Sequence, residues 1–214
     1  MLFDAAFEQV RERYKAVAAE ADTWDEAQTE DNFVQPLLSD VLGWARVVQE
    51  NVQRQGRRGR PDYALFTSEE RRATAVRRAK STDASIFDHA DAVADAKYWG
   101  RPLDGPAPDL AREKRAEMRR NNPSFQIIDY VTLTGVDWGL LTNGARWRLY
   151  YEGAPSRLET YFEVNLPEIM RLAAGDADDR DAARRAFRLF FALFPTDVHR
   201  PIPDGLTFVA SVYE

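Results

Sequence analysis

The chain has 214 residues, 44% of them apolar, and a net charge of −6, which is enough for one well-buried domain or one domain with a small appendage. It contains no cysteine, which excludes a disulfide framework and a cysteine zinc site and suits a reducing cytoplasm. The N-terminus lacks a basic start followed by an apolar stretch, and no apolar run approaches the roughly 18–20 residues that span a bilayer, so a cytoplasmic protein with no membrane partner is expected.

Residues 4–20 read as an amphipathic helix, because Phe3, Phe7, Val10, Tyr14 and Val17 recur at steps of four and three. A second helix is expected from Thr23, which stands at capping-box spacing from Glu26, to a stop at Gly43, with a kink or break at Pro36. Tyr63–Phe66 reads as a short buried strand entered through Pro61. Residues 67–91 are polar and charged, and read as a loop or a ragged hairpin tip. Ala92–Tyr98 is the next strand, and residues 106–122 read as irregular, then helical. Pro123 suits the first turn of a helix that runs to about Thr134. Trp138–Thr142 and Arg146–Tyr151 flank Asn143-Gly144, a strong hairpin signal. A helix with an aromatic face follows near residues 179–194. The order implies an α/β domain with one central sheet.

Charge is unevenly distributed. Residues 1–49 carry −6, residues 50–120 carry +4 and residues 121–214 carry −4. The basic middle third holds Arg57, Arg58, Arg60 and Arg101 among its cations, and such a strip serves either as a solvated surface or as a phosphate-facing one.

Two of the expected strands can place carboxylates together. Asp62 opens the strand Tyr63–Phe66, and Asp95 and Lys97 lie two apart in the next, hence on one face with Val93, while Ala94 and Ala96 face the other way. Burying a carboxylate and a lysine in a small apolar strand is costly unless they pair or serve a purpose. An ordinary salt bridge at a strand end is one reading. The other is a carboxylate site for a hard divalent cation, with Lys97 orienting or deprotonating a water or stabilising developing charge. In the helix after Pro123, Gln126 and Tyr130 are four apart and share a face.

The segments PDYALF, ADAKYWGRPLD, PSFQIIDY and WGLLTNGARWRLYY, together with EDNFVQPLLSDVLGW, resemble in their order the PD-(D/E)xK nuclease region at the start of fused restriction–modification enzymes of type IIG, and more distantly the type I motor subunit; the resemblance covers roughly residues 24–152. It implies a restriction-endonuclease-like three-layer fold, a central mixed sheet flanked by helices. It also implies Asp62 and Asp95 as Mg²⁺ ligands (Mn²⁺ substituting), Lys97 as the catalytic lysine, and Gln126 and Tyr130 as the Q-x-x-x-Y element. Such nucleases take a further acid from the N-terminal helix. Glu30 lies on the core-facing stripe and is preferred to Glu26, which has a capping role open to it; the backbone carbonyl of Ala96 is a further candidate ligand. Many relatives carry Glu where Asp95 stands. The expected partner is DNA, its backbone gripped by Arg57, Arg58, Arg60 and Arg101. Residues 1–160 would form the nuclease domain, and residues 161–214 a helical extension toward a missing domain, with methyltransferase and target-recognition regions elsewhere in the same chain or complex. The alternative is a non-catalytic DNA-binding or docking module on a degenerate nuclease fold, and a nuclease of RNA or of modified DNA is a third reading.

Other features point elsewhere less well. NNPSF at residues 121–125 lacks the second proline of an amino-methyltransferase motif, and there is no phosphate-binding P-loop. His89 and His199 read as surface or structural residues, and Trp99, Trp138 and Trp147 as core or sheet packing.

Overall fold

The computed structural model describes residues 3–54, 56–82, 84–105 and 122–199, and the structural statements below concern those residues. The strands are β1 (Ala45–Val48), β2 (Val52–Arg54), β3 (Arg57–Gly59), β4 (Tyr63–Phe66), β5 (Ala92–Ala96), β6 (Trp138–Thr142), β7 (Arg146–Tyr151) and β8 (Tyr161–Asn165). Six of them form one sheet in the order β1-β4-β5-β6-β7-β8, while β2 and β3 pair as a separate ribbon. β5 and β6 are parallel and the other neighbours antiparallel, so the sheet is mixed. The helices are α1 (Phe3–Val17), α2 (Glu26–Thr29), α3 (Glu69–Ser81), α4 (Pro123–Thr134), α5 (Leu166–Ala173) and α6 (Ala177–Leu193).

Helices cover both faces of the sheet. On one face Ala92, Ala94 and Ala96 of β5 and Trp147 and Leu149 of β7 share a core with Phe7 and Val10 of α1 and with Phe187 and Phe190 of α6. On the other, Val93 of β5 and Leu141 of β6 pack with Ala75 of α3 and with Ile127 and Val131 of α4. The strand alternation expected around Asp95 is therefore present. β6 carries Gly139, where an added Cβ would lie 2.7 Å from Val131 and 2.9 Å from Ile127, so glycine lets α4 sit close on the sheet.

Several elements differ from expectation. The second helix starts at Glu26, not Thr23. Asp25 is its N-cap and forms the capping box with Gln28, which leaves Glu26 without that role. From Glu30 onward the run is π-wound over Glu30–Val34 and Leu37–Val41. Pro36 sits inside it at φ −59° and ψ −37° without a break, because the widened turns bond Gln35 N to Glu30 O and Leu42 N to Leu37 O and absorb the ring and the missing N–H. The charged stretch 67–91 is not a loop. It contains α3, capped by Ser68 accepting from Arg71 N, with Glu69 and Glu70 in the first turn and Arg78 and Lys80 in the last, each charge complementing the helix dipole. Residues 106–121, read as irregular and then helical, lie outside the described residues.

A division at residue 160 falls between two paired strands. β8 hydrogen-bonds along β7, and Phe190 and Phe194 pack on Trp147 with Phe187 against Phe190, so residues 161–199 share the same sheet and core. No helix among the described residues is long and apolar enough to cross a membrane.

Candidate metal and catalytic site

The short length of β4 and β5 decides the geometry of the site. Their antiparallel register pairs Tyr63 with Ala94, and the backbone ladder ends there. Asp62, one residue before β4, continues the connection with its side chain: Oδ2 accepts from Ala96 N at 2.8 Å. The carboxylate is thereby fixed beside the C-terminal end of β5, where Asp95, Ala96 and Lys97 follow one another.

Two carboxylates reach the same place from the helical run. Glu26 lies in the first turn of α2 and Glu30 one turn later, on one helix face. An oxygen from each of Glu26, Glu30 and Asp62 falls within 4.8 Å of the other two. The run is tied to the chain after β5 by Thr29, whose hydroxyl donates to Asp25 O at 2.8 Å and accepts from Trp99 N at 3.2 Å. Tyr63, 1% exposed, donates its hydroxyl to Glu30 Oε2 in a short hydrogen bond. Burial raises the pKa of Glu30, with Asp62 and Glu26 adding to it and the Tyr63 hydrogen bond opposing. Burial likewise raises Glu26, Asp62 pushing the same way and Lys97 and Arg101 pulling it back.

Asp95 is not one of these three acids, although its carboxyl meets that of Asp62. It is 2% exposed, and its Oδ2 lies 2.5 Å from Lys97 Nζ as an ion pair without aligned hydrogen-bond geometry. Burial drives Asp95 well above the usual carboxylate range, Lys97 opposing and Asp62 adding. Burial works against the Lys97 ammonium, but Asp95, Glu26 and Asp62 outweigh it and hold the lysine above its ordinary value. Lys97 Nζ also donates to Ala96 O at 2.9 Å, so the carbonyl expected to face a metal is engaged by the lysine.

α4 packs on β5 and β6. Asn122 caps the helix, and Ser124 Oγ lies 2.9 Å from Tyr150 OH and 3.0 Å from Arg148 Nη1, which binds the helix start to β7. Gln126 Nε2 then donates to Tyr130 OH at 3.0 Å. Burial pushes the Tyr130 phenol up to about 12, and the charges of Asp95, Lys97 and Asp62 all reach it. The two residues therefore share a helix face turned toward the carboxylates.

Not every expected residue is at this surface. Arg57, Arg58 and Arg60 are exposed on and after β3. Arg101 is only 5% exposed and its charge acts on Glu26, so it bears on the acidic cluster from within and is not a cation presented to a strand. Glu26, the candidate passed over for Glu30, stands at the site beside it, and Tyr63, given no role in the sequence, joins them. Glu26 shares a helix face with Glu30 at four-residue spacing, a signal that the supposed capping box obscured. Tyr63 carried no signal beyond its place next to Asp62.

The donor set fits a hard divalent cation. Such an ion takes carboxylate oxygens at roughly 2.0–2.6 Å, and three oxygens within 4.8 Å of one another could be drawn onto one. Three acids held together without a cation repel and oppose folding. Glu26→Gln should therefore raise the melting temperature by about 2 °C while weakening Mn²⁺ binding at least about tenfold, as read by calorimetry. A lowered melting temperature with unchanged Mn²⁺ affinity would remove Glu26 from the site.

No family model matches the chain, and neither a curated protein nor a solved structure matches it.

Proposed function

We propose that this chain is a magnesium-dependent endodeoxyribonuclease domain of the PD-(D/E)xK kind, with a restriction-endonuclease-like fold, serving a restriction–modification or phage-defence enzyme. The observation that carries the reading is the convergence of Glu26, Glu30 and Asp62 within 4.8 Å, beside an Asp95–Lys97 pair at the end of the neighbouring strand. Phosphodiester hydrolysis needs an activated water and compensation for charge on the phosphate oxygens. Glu26, Glu30 and Asp62 would hold Mg²⁺ or Mn²⁺, and a bound divalent ion lowers the pKa of water and polarises a phosphoryl oxygen. Asp95 would join the ligands once the phosphate draws Lys97 away from it.

The remaining roles belong to this chain's own side chains. Lys97, kept protonated by its carboxylate neighbours, donates to a phosphate oxygen and opposes the charge that builds there. A lysine so held is a poor base, which favours this role over proton abstraction. Gln126 offers one donor and one acceptor beside it to orient a water or a phosphate oxygen, and Tyr130 holds the amide through its hydroxyl. Asp62 keeps the cluster in register through Ala96 N.

The test is conversion of supercoiled plasmid to nicked or linear DNA in Mg²⁺ or Mn²⁺. We expect cleavage that EDTA stops and that Asp62→Asn reduces at least about a hundredfold. Cleavage that survives either would refute the reading. Metal-dependent DNA binding without cleavage in every condition would favour the docking module instead.

A further inference from the structure

Beside Gln126 and Tyr130 the surface opens into a groove of about 540 Å³ between the β2–β3 ribbon and α4, lined by Arg57, Arg58, Gly59, Asp129, Tyr130 and Leu133 in addition to Gln126. The ribbon sits close on the helix because β3 carries glycine at the contact: a Cβ on Gly59 would meet Leu133 at 2.9 Å and Tyr130 at 3.0 Å. Two cations flank the groove. Arg58 is held across the ribbon by Gln53, its register partner, at 3.2 Å. Arg57 Nη2 lies 3.0 Å from Asp129 Oδ1, and both side chains are more than half exposed. Arg54 is placed differently, over the C-terminal Gly135 of α4, where a cation meets the negative end of the helix. Tyr130, which lines the groove, also feels the charges of Asp95, Lys97 and Asp62.

We propose that this groove seats a backbone phosphate of duplex DNA next to the scissile one, and that Asp129 is a built-in counter-anion that occupies Arg57 until the strand displaces it. The inference rests on the nuclease reading and deepens it. The groove has one carboxylate against two guanidiniums, so its charge is positive but partly neutralised from inside. A phosphate carries its charge on oxygens that a guanidinium binds bidentately, and it outcompetes a solvent-exposed carboxylate pair worth little on its own. Asp129 then sets how tightly the strand is held, which favours release of product over retention.

The experiment is fluorescence anisotropy of a short labelled DNA duplex in calcium, which occupies carboxylate sites but supports hydrolysis poorly, titrated over a range of salt. Arg57→Ala should weaken binding roughly fivefold and reduce the salt slope by about 0.9, the value for one lost phosphate contact. Asp129→Asn should tighten binding roughly two- to fivefold, and only while Arg57 is present. Added to Arg57→Ala, the Asp129→Asn substitution should make no further difference. Tightening that persists without Arg57 would mean a general charge effect and would overturn the counter-anion. Unchanged binding in Arg57→Ala would overturn the groove, while plasmid cleavage by the same variant would leave the nuclease reading standing. An RNA of equal length bound with the same dependence on both residues would overturn the choice of duplex DNA. Absence of both binding and cleavage in the wild type would remove the nuclease reading and this inference together.

Discussion

Lys97→Ala should lower plasmid cleavage by about 10²–10⁴-fold, the range for a group that acts in the transition state, while leaving the melting temperature within a few degrees. Lys97 is nearly buried, and its ammonium meets Asp95 Oδ2 at 2.5 Å and the Ala96 carbonyl at 2.9 Å. Alanine removes a buried cation and leaves Asp95 without its partner. That loss would destabilise the fold strongly if Asp95 had to stay charged, but burial already favours its protonated form, so Asp95 takes up a proton instead. Lys97→Arg should recover little. A planar fork does not fit where one compact ammonium bridges a carboxylate and a carbonyl. Cleavage by Lys97→Ala at the wild-type rate, with EDTA sensitivity retained, would move the catalytic cation elsewhere. The pH profile is a further check. Because the lysine is held above its ordinary value, its own titration should not limit the rate near neutrality, and an acidic limb should instead reflect the raised carboxylates Glu26 and Glu30.

The parts of the fold that the sequence made legible are those where one local rule dominates. Asn143-Gly144 between two apolar runs located β6 and β7 to the residue, and Pro123 at N1 with Gly135 at the left-handed C-cap bounded α4. α3 was missed because its charge density reads as solvated loop. Yet Ser68 before Glu69 and Glu70, and Ala75, Val76 and Ala79 within, are a cap and a narrow apolar stripe. β8 and α5 were missed for another reason: Tyr161–Asn165 is an edge strand with only Val164 buried, so its alternation is faint, and its pairing with β7 is a tertiary fact.

The site divides the same way. Asp62, Asp95 and Lys97 were legible because charged residues stand against short apolar strands, where they need a reason. What a strand pattern cannot give is depth. Asp95 and Lys97 share a face as expected, but only packing reveals that Asp95 is buried against the lysine while Glu26 joins Glu30 and Asp62. The ribbon of β2 and β3 is similar. Its arginines were visible as composition, whereas its seat on α4 depends on Gly59, whose missing side chain is informative only once Tyr130 and Leu133 lie against it.

Relative to His199→Gln, the wild-type protein should lose stability as pH falls from about 6.5 to about 4. His199 is 3% exposed, with Nε2 2.8 Å from Leu193 O, and its ring lies against Trp44 and Trp138 at centroid distances of 5.2 and 5.1 Å. Nδ1 is buried with no hydrogen-bond partner among the described residues. Burial pushes the imidazole down to about 4, the Leu193 carbonyl opposing. The folded pKa therefore lies below the unfolded value near 6.5. Above that value both states are neutral and the group has no effect. Between 6.5 and 4 the unfolded chain binds a proton that the folded one refuses, and below 4 the loss is complete, at about 3 kcal/mol. For a chain of this length that is a fall of about 6–12 °C in melting temperature. Glu26, Glu30 and Asp95 act in the opposite sense, since their raised values make acid stabilising, so the quantity to measure is the difference between wild type and His199→Gln at each pH. An unchanged difference across the range would mean that the imidazole is already protonated or reached by water in the fold. A difference that closes toward pH 4 would identify His199 as the acid-sensitive clamp, because the segment it anchors also bonds Thr196 N to Leu42 O and joins the end of α6 to the helical run that carries Glu26 and Glu30.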